Sequence, residues 1–340
     1  MKYRMSLRSI KKKLSSATMT LALGSLAGTA SAAEPPRLCA IYPHLKDSYW
    51  LSVNYGMVDE ARKQGADLRV LEAGGYMNYD KQKEQLSLCA RWNADAIILG
   101  TVAPELYDNS LRQYTGAIPV FAAVNKLSLN EENQVNLKGE VGVDWYWMGF
   151  YAGDYLKQRH PSGSGITNIA LLPGPRSSGG TKPVLKGFYD AIKHSDLRII
   201  DTLWADNDKE LQRNLVQKAI DNDDVDYIVG SAVAIEAAIS ELRAAGKTEQ
   251  IGLVSTYLSH GVYRGLLRDK VEFAPTDKMV KQGRLSVQQA VSYLRHKDYQ
   301  RVSAPKIEPL TPKTLNKKVI EDSLSPSEYR PTFYVHNGNN

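Results

Sequence analysis

The sequence predicts an α/β fold of two Rossmann-like parallel-sheet lobes around a ligand cleft. Three observations predict it. Short apolar runs alternate with amphipathic stretches of helical period. The alternation restarts near residue 141, so the chain carries the series twice. Aromatic residues gather where the strands run out, and open α/β sheets bind ligands beyond the carboxyl ends of their strands.

The N-terminus reads as an export signal over residues 1–32. Lys2, Arg4, Arg8, Lys11, Lys12 and Lys13 form a basic region. A stretch of mostly apolar and small residues runs from Leu14 to Gly28, and Ala30-Ser31-Ala32 is a small-x-small cleavage pattern. The stretch is broken by Ser, Thr and Gly and falls short of the roughly 20 apolar residues a membrane span needs. The mature chain is therefore expected to start near Ala33, after export, without direct membrane insertion. The leader also accounts for the charge. Without its six cations, 37 basic residues stand against 37 acidic ones. The formal charge of +6 belongs to the signal, and nothing basic is left to favour nucleic acid.

The elements follow in order. Leu38–Tyr42 is a short apolar strand. Tyr49–Gln64 is a helix, because Trp50, Val53, Met57, Val58 and Ala61 share one face, and Gly65 ends it. Leu68–Leu71 is a strand, Tyr79–Trp92 a helix, and Ala96–Leu99 and Pro119–Ala123 are strands. The second series opens with a strand at Val141–Val143 and a helix at Trp147–Gln158. Strands at Asn168–Leu172, Ile199–Leu203, Tyr227–Val229 and Ile251–Val254 alternate with helices at Thr181–Lys193, Lys209–Asn222 and Ala234–Ala245. Gly246 suits the C-terminal cap of the last of these. Tyr263–Arg268 and Met279–Leu294 are helical, with a strand at Val271–Ala274 between them. Beyond Val302 the chain is rich in Pro, Lys and Ser, and Leu310 and Phe333–Val335 suit edge strands. About 300 mature residues suit two lobes of ordinary size. The expected division is 33–125 with 259–300 in the N-terminal lobe, and 126–258 with 301–340 in the C-terminal lobe.

Cys39 and Cys89 are the two cysteines. One lies in the first strand and the other on a helix leading to a neighbouring strand. In an oxidising compartment a disulfide is geometrically open to them, and a pair of buried thiols is the alternative.

No catalytic motif emerges. The six histidines are scattered without HExxH spacing, and there is no GxSxG elbow, no CxxC and no cofactor motif. The run Gly174–Lys182 resembles a phosphate loop but lacks its Gly-Lys-Ser/Thr ending, and it reads as a glycine-rich turn opening a helix. The clusters Asp206–Asp208 and Asp221–Asp224 lack calcium-loop spacing and read as turns and helix caps. No metal site and no cofactor are expected.

The strand ends carry Tyr49, Trp50, Tyr76, Trp145 and Tyr257, with Asp47 beside the first pair. Each has two readings. Asp47 caps the first helix, contacts a ligand, or does both. Trp50 shares the apolar helix face and suits a core as well as a cleft. Tyr76 follows two glycines and fits a turn facing solvent. Tyr146 and Trp147 compete with Trp145 for the cleft. Tyr257 lies just past a strand end.

From Leu38 to Leu294 the two-halved alternation resembles the type I periplasmic binding proteins, the ribose-binding-protein-like superfamily. Leu38–Pro43 with Leu45–Met57, Val70–Tyr76, and Tyr257–His260 with Val262–Leu266 resemble a branch of it. That branch detects trimethylamine N-oxide in the periplasm and acts with a membrane sensor histidine kinase. The departures from sugar-binding members agree. Where those carry an Asp at a strand end, this chain has Ser255-Thr256-Tyr257. Where they carry Asn-Asp it has Ala232–Ile235, and where they often carry Asp-Asn it has Asp144-Trp145. Sugar hydroxyls would be left unpaired there. The resemblance implies Tyr49, Trp50, Tyr76, Trp145 and Tyr257 as an aromatic cage, with Asp47 acting directly or through water. It implies a sensor of trimethylamine N-oxide that reports to the kinase and controls trimethylamine N-oxide respiration, not an enzyme. The alternative on the same fold is the substrate-binding component of an importer for a methylated amine or a sugar.

Overall fold

The computed structural model describes residues 34–176 and 179–337. The leader read over residues 1–32 lies outside the described residues, as do Ser177 and Ser178 of the glycine-rich turn. The first series runs β1 (Arg37–Tyr42), α1 (Ser48–Gln64), β2 (Asp67–Glu72), α2 (Tyr79–Arg91), β3 (Ala96–Leu99), α3 (Leu111–Thr115), β4 (Val120–Ala123), α4 (Glu131–Gln134) and β5 (Leu137–Val141). The second runs α5 (Trp145–Arg159), β6 (Thr167–Gly174), α6 (Thr181–Ala191), β7 (Leu197–Trp204), α7 (Lys209–Ile220), β8 (Tyr227–Gly230), α8 (Ala232–Ala244) and β9 (Gly252–Ser255). The remainder adds α9 (His260–Leu267), β10 (Ala274–Thr276), α10 (Met279–Leu294), β11 (Val302–Ser303), β12 (Glu308–Leu310), α11 (Lys317–Ser323) and β13 (Tyr334–Val335).

Two sheets organise these elements. The first has the order β11-β5-β4-β3-β1-β2-β13, parallel throughout except for β13. The second has the order β7-β6-β8-β9, all parallel. A parallel sheet is covered on both faces, so its strands read as apolar runs without polar alternation. β1 illustrates this. Leu38, Ala40 and Tyr42 pack into one core, with Val53 and Met57 of α1. Cys39 and Ile41 pack into another, with Leu86 and Cys89 of α2. Each fully buried Leu or Ile contributes roughly 1.5–3 kcal/mol. A disulfide joins Cys39 to Cys89, with the α-carbons 5.8 Å apart, and pins α2 to β1.

The division of the chain differs from the expected one. The boundaries read from sequence gave residues 126–258 and 301–340 to the second lobe. Sheet pairing puts β5 beside β4, β11 beside β5, and β13 beside β2. The second series therefore starts after β5, not with a strand at 141–143. The alternating burial of Leu137, Gly139 and Val141 completes the first sheet before the chain leaves it. β13 covers the open edge of β2, where an unpaired strand would be a liability. α5 starts at Trp145 and not at Trp147, because Asp144 caps it: its carboxylate accepts from the Tyr146 N–H at 3.0 Å. The strand read at Val271–Ala274 lies at Ala274–Thr276, where β10 pairs antiparallel with β12. That two-stranded ribbon lies where the chain returns from the second sheet to α10 of the first. Among the described residues no helix is long and apolar enough to cross a membrane.

Two helix pairs pack at close range through glycine. In the α5–α6 pair, a Cβ at Gly187 would overlap the carbonyl oxygen of Tyr146, and one at Gly149 that of Val184. In the α1–α10 pair, Gly56 and Gly283 play the same part against Val280 and Val53. Backbone cannot yield as a flexible side chain does. Gly187→Ala is expected to destabilise the protein by about 2 kcal/mol through overpacking, read as a drop in urea midpoint at unchanged m-value.

Candidate functional site: an aromatic cavity between the sheets

Five aromatic side chains converge on one cavity between the carboxyl ends of the two sheets. Asp47 begins the construction. Its Oδ1 accepts from the Trp50 N–H at 3.1 Å, capping α1, and the same carboxylate lines the cavity. The capping reading of Asp47 holds, and the capped residue also stands at the cavity wall. The cap directs the first turn of α1, which carries Tyr49 and Trp50, at the end of β1.

Trp50 joins core and cavity. It is 1% exposed and stacks on Tyr42 with ring centroids 5.5 Å apart. Its Nε1–H donates to the Tyr76 hydroxyl at 3.2 Å. The far edge of its ring lies over Gly100 at the end of β3, where an added Cβ would stand 2.5 Å from the ring. Tyr76 is held inside by this bond and is 6% exposed, so it does not face solvent. Its hydroxyl is pushed up to about 12 by burial, with Trp50 and Asn125 pulling the other way.

Tyr49, Trp145 and Tyr257 form a triangle. Their ring centroids are 6.0 Å apart for Tyr49–Trp145, 6.2 Å for Trp145–Tyr257 and 5.4 Å for Tyr49–Tyr257. Tyr257 stands almost perpendicular to the other two rings, at 85° to each. Trp145 lies against Gly180 at the start of α6, where a Cβ would come within 2.9 Å of the indole. Its neighbours turn away. The Tyr146 hydroxyl donates to Asp190 at 3.3 Å, and Trp147 is 44% exposed.

The cavity has a definite electrostatic character. It measures about 40 Å³. On a scale where a single water needs about 10–15 Å³, this suits a ligand of a few heavy atoms and not a hexose. Among the described residues lining it there is no Lys, Arg or His, while Asp47 presents a carboxylate. The Trp145 Nε1–H and the Tyr257 hydroxyl are buried without hydrogen-bond partners. Burial holds the Tyr49 and Tyr257 hydroxyls well above the ordinary phenol value, reinforced by Asp277 for Tyr49 and by Asp47 for Tyr257. Ser231 lowers the Tyr257 value slightly but makes no hydrogen bond of ordinary geometry with it. These phenols keep their protons and remain donors. The site thus offers π-faces and negative potential to a cation, and unpaired donors to an acceptor.

Sequence reasoning missed several residues that shape this site. Asn125 stands just past the end of β4, where the strand-end rule points, but it carries no aromatic ring to mark it. Asn207 lies inside a cluster read as a helix cap. Asp208 does cap α7, accepting from the N–H groups of Glu210 and Leu211, while Asn207 lines the cavity with a buried, unpaired Oδ1. Asp277 also follows a strand, β10, but it carries no aromatic ring to mark it. It stands behind Tyr49 and accepts from that hydroxyl at 2.5 Å.

Comparison with known proteins places the chain. Residues 35–330 match the family of periplasmic binding proteins and sugar-binding domains of the LacI family. The periplasmic protein TorT of Escherichia coli strain K12 is 44% identical over 302 residues, covering 88% of this chain and 85% of that protein. A structure of the TorS sensor domain–TorT complex without ligand superposes with a TM-score of 0.84 at 70% identity, covering 87% of this chain and 99% of that one. The same complex in the presence of TMAO gives a TM-score of 0.83 at 70% identity, with the same coverage.

Proposed function

Since the chain belongs to the periplasmic binding protein family, and within it to the TorT proteins, we propose that it binds trimethylamine N-oxide in the periplasm and reports it to the sensor domain of a TorS-type histidine kinase. The observation that carries the ligand assignment is the cavity wall itself: aromatic faces and a carboxylate, with two unpaired buried donors. Trimethylamine N-oxide has a positive nitrogen bearing three methyls and no N–H. Each aromatic face attracts such a group by about 0.5–2 kcal/mol, most when water is excluded. Its oxide oxygen accepts hydrogen bonds. The Trp145 indole and the Tyr257 hydroxyl supply donors that otherwise stay unpaired, at a cost of about 1–3 kcal/mol each. In this reading Tyr49, Trp50, Tyr76, Trp145 and Tyr257 form the cage, and Asp47 faces the cation.

The protein acts as a receptor and not as an enzyme. That part of the reading rests on what lines the cavity: protonated phenols, an indole, amides and a capping carboxylate. Signalling then requires that the ligand favour one arrangement of the complex over another, because equal affinity for both shifts nothing. The cavity takes walls from both sheets, so a ligand held there ties the two lobes together.

Calorimetric titration with trimethylamine N-oxide and with D-ribose, of the chain alone and with the kinase sensor domain, tests the proposal. Heat is expected with the N-oxide, at the latest when the sensor domain is present, and none with the sugar. No heat from the N-oxide under either condition rejects the ligand assignment. Binding of ribose at comparable strength favours a carrier for import.

A further inference from the structure

A second carboxylate stands behind the cage, on the segment joining β10 to α10. Asp277 is completely buried. Its Oδ2 accepts from the Tyr49 hydroxyl at 2.5 Å and from Gln282 Nε2 at 2.7 Å. Gln282 also donates to the Asp277 main-chain carbonyl at 3.0 Å, which fixes the side chain that fixes the carboxylate. Oδ1 has no partner. The neighbouring cation is engaged elsewhere: the Lys278 ammonium pairs with Glu308 at 3.3 Å. A buried carboxylate with one free oxygen and no ion pair is costly unless something nearby compensates it. What lies nearby is the cage, since the ring that Asp277 holds by its hydroxyl is one wall of it.

We propose that Asp277 is the counter-charge behind the cage: it positions the Tyr49 ring and makes the cavity prefer a molecule with a positive, methylated nitrogen to one of the same shape without it. Two effects act through one residue. The short bond orients Tyr49, which meets Trp50, Trp145 and Tyr257 at centroid distances of 5.9, 6.0 and 5.4 Å. A phenol donating to a carboxylate also carries more negative charge in its ring, which strengthens its attraction for a trimethylammonium group. Burial raises the acid's pKa, with Tyr49 and Gln282 holding it partly back. A cation in the cage pulls the same way as those two donors, so ligand binding and ionisation of Asp277 support each other. Asp277 is not among the residues lining the cavity. It is a positioning residue and not a ligand contact.

The inference rests on trimethylamine N-oxide as the ligand, and the test separates the two claims. Three probes are titrated against the full chain: trimethylamine N-oxide, the tetramethylammonium ion, and tert-butyl alcohol, a neutral molecule with three methyls and one oxygen. Asp277→Asn keeps the shape and an acceptor for Tyr49 but removes the charge. It is expected to weaken tetramethylammonium by about tenfold, the order of one partly screened charge, to weaken the N-oxide by less because its oxide oxygen offsets the positive nitrogen, and to leave the alcohol unchanged. Tyr49→Phe, which leaves Asp277 its full length, is expected to reduce the same preference, and the double variant to lose little more. Equal weakening of all three probes by Asp277→Asn means a structural role only and overturns the inference, as does no weakening at all. If Asp277→Asn does not fold, an unchanged preference in Tyr49→Phe overturns it. Failure of the unaltered chain to bind the N-oxide, both alone and with the kinase sensor domain, rejects the ligand assignment instead.

Discussion

Trp145→Ala is expected to weaken trimethylamine N-oxide binding by about a hundredfold while the protein stays folded. The substitution removes two contributions at once. One is a cation–π face, worth about 0.5–2 kcal/mol. The other is a buried indole N–H without a protein partner, free to bond the oxide oxygen for about 1–2 kcal/mol. Together they approach 3 kcal/mol, and each 1.4 kcal/mol is tenfold in affinity. Trp145 occupies the first turn of α5 and is only partly buried where it packs against the core, so its loss costs less than that of a fully buried Trp. Trp145→Phe separates the contributions: it keeps a face, loses the donor, and should cost about tenfold. Trp147→Ala, two residues on and 44% exposed, should change nothing. Calorimetry on the three variants, with thermal unfolding beside it, reads all of this. Equal affinity in Trp145→Ala and the unaltered chain removes Trp145 from the cage.

The second large effect is on stability. Replacing Cys39 and Cys89 together by Ala is expected to cost about 3–4 kcal/mol. The bond spans a sequence separation of 50 residues. Freeing a loop of that length restores entropy to the unfolded chain worth roughly 4 kcal/mol at 25 °C. Both side chains are fully buried, in the core formed with α2 on the far side of the first sheet. The cage residues Tyr49 and Trp50 belong to the opposite core. Affinity for trimethylamine N-oxide should therefore hold wherever the variant remains folded. Urea unfolding of the oxidised protein, the reduced protein and the double variant measures the cost. A variant as stable as the oxidised protein would mean the crosslink contributes nothing.

Much of this was legible in the sequence, for identifiable reasons. The apolar runs at Leu38–Tyr42 and Ala96–Leu99 read as strands because parallel sheets bury both faces. α10 was read over Met279–Leu294 and is found there, because a long amphipathic helix carries a strong period. The strand-end rule picked residues that do meet around one cavity. Short elements were harder. β5 is misplaced because Gly139 empties the middle inward position of its alternation and leaves only Leu137 and Val141 as apolar marks, and the error moves the lobe boundary with it. β11 and β13 extend the first sheet from far along the chain, which no local pattern announces. Which of Trp145, Tyr146 and Trp147 enters the cavity depends on the phase of α5, and one cap at Asp144 sets it. Asp277 was invisible because its meaning comes from Tyr49, 228 residues away in the chain.

The most direct measurement is a structure of the chain with trimethylamine N-oxide bound, in complex with the kinase sensor domain. The nitrogen is expected within about 6 Å of the Tyr49, Trp145 and Tyr257 ring centroids. The oxide oxygen is expected about 2.7–3.2 Å from the Trp145 Nε1 or the Tyr257 hydroxyl. A ligand seated outside these rings, or one whose methyls face solvent, would contradict the cage assignment.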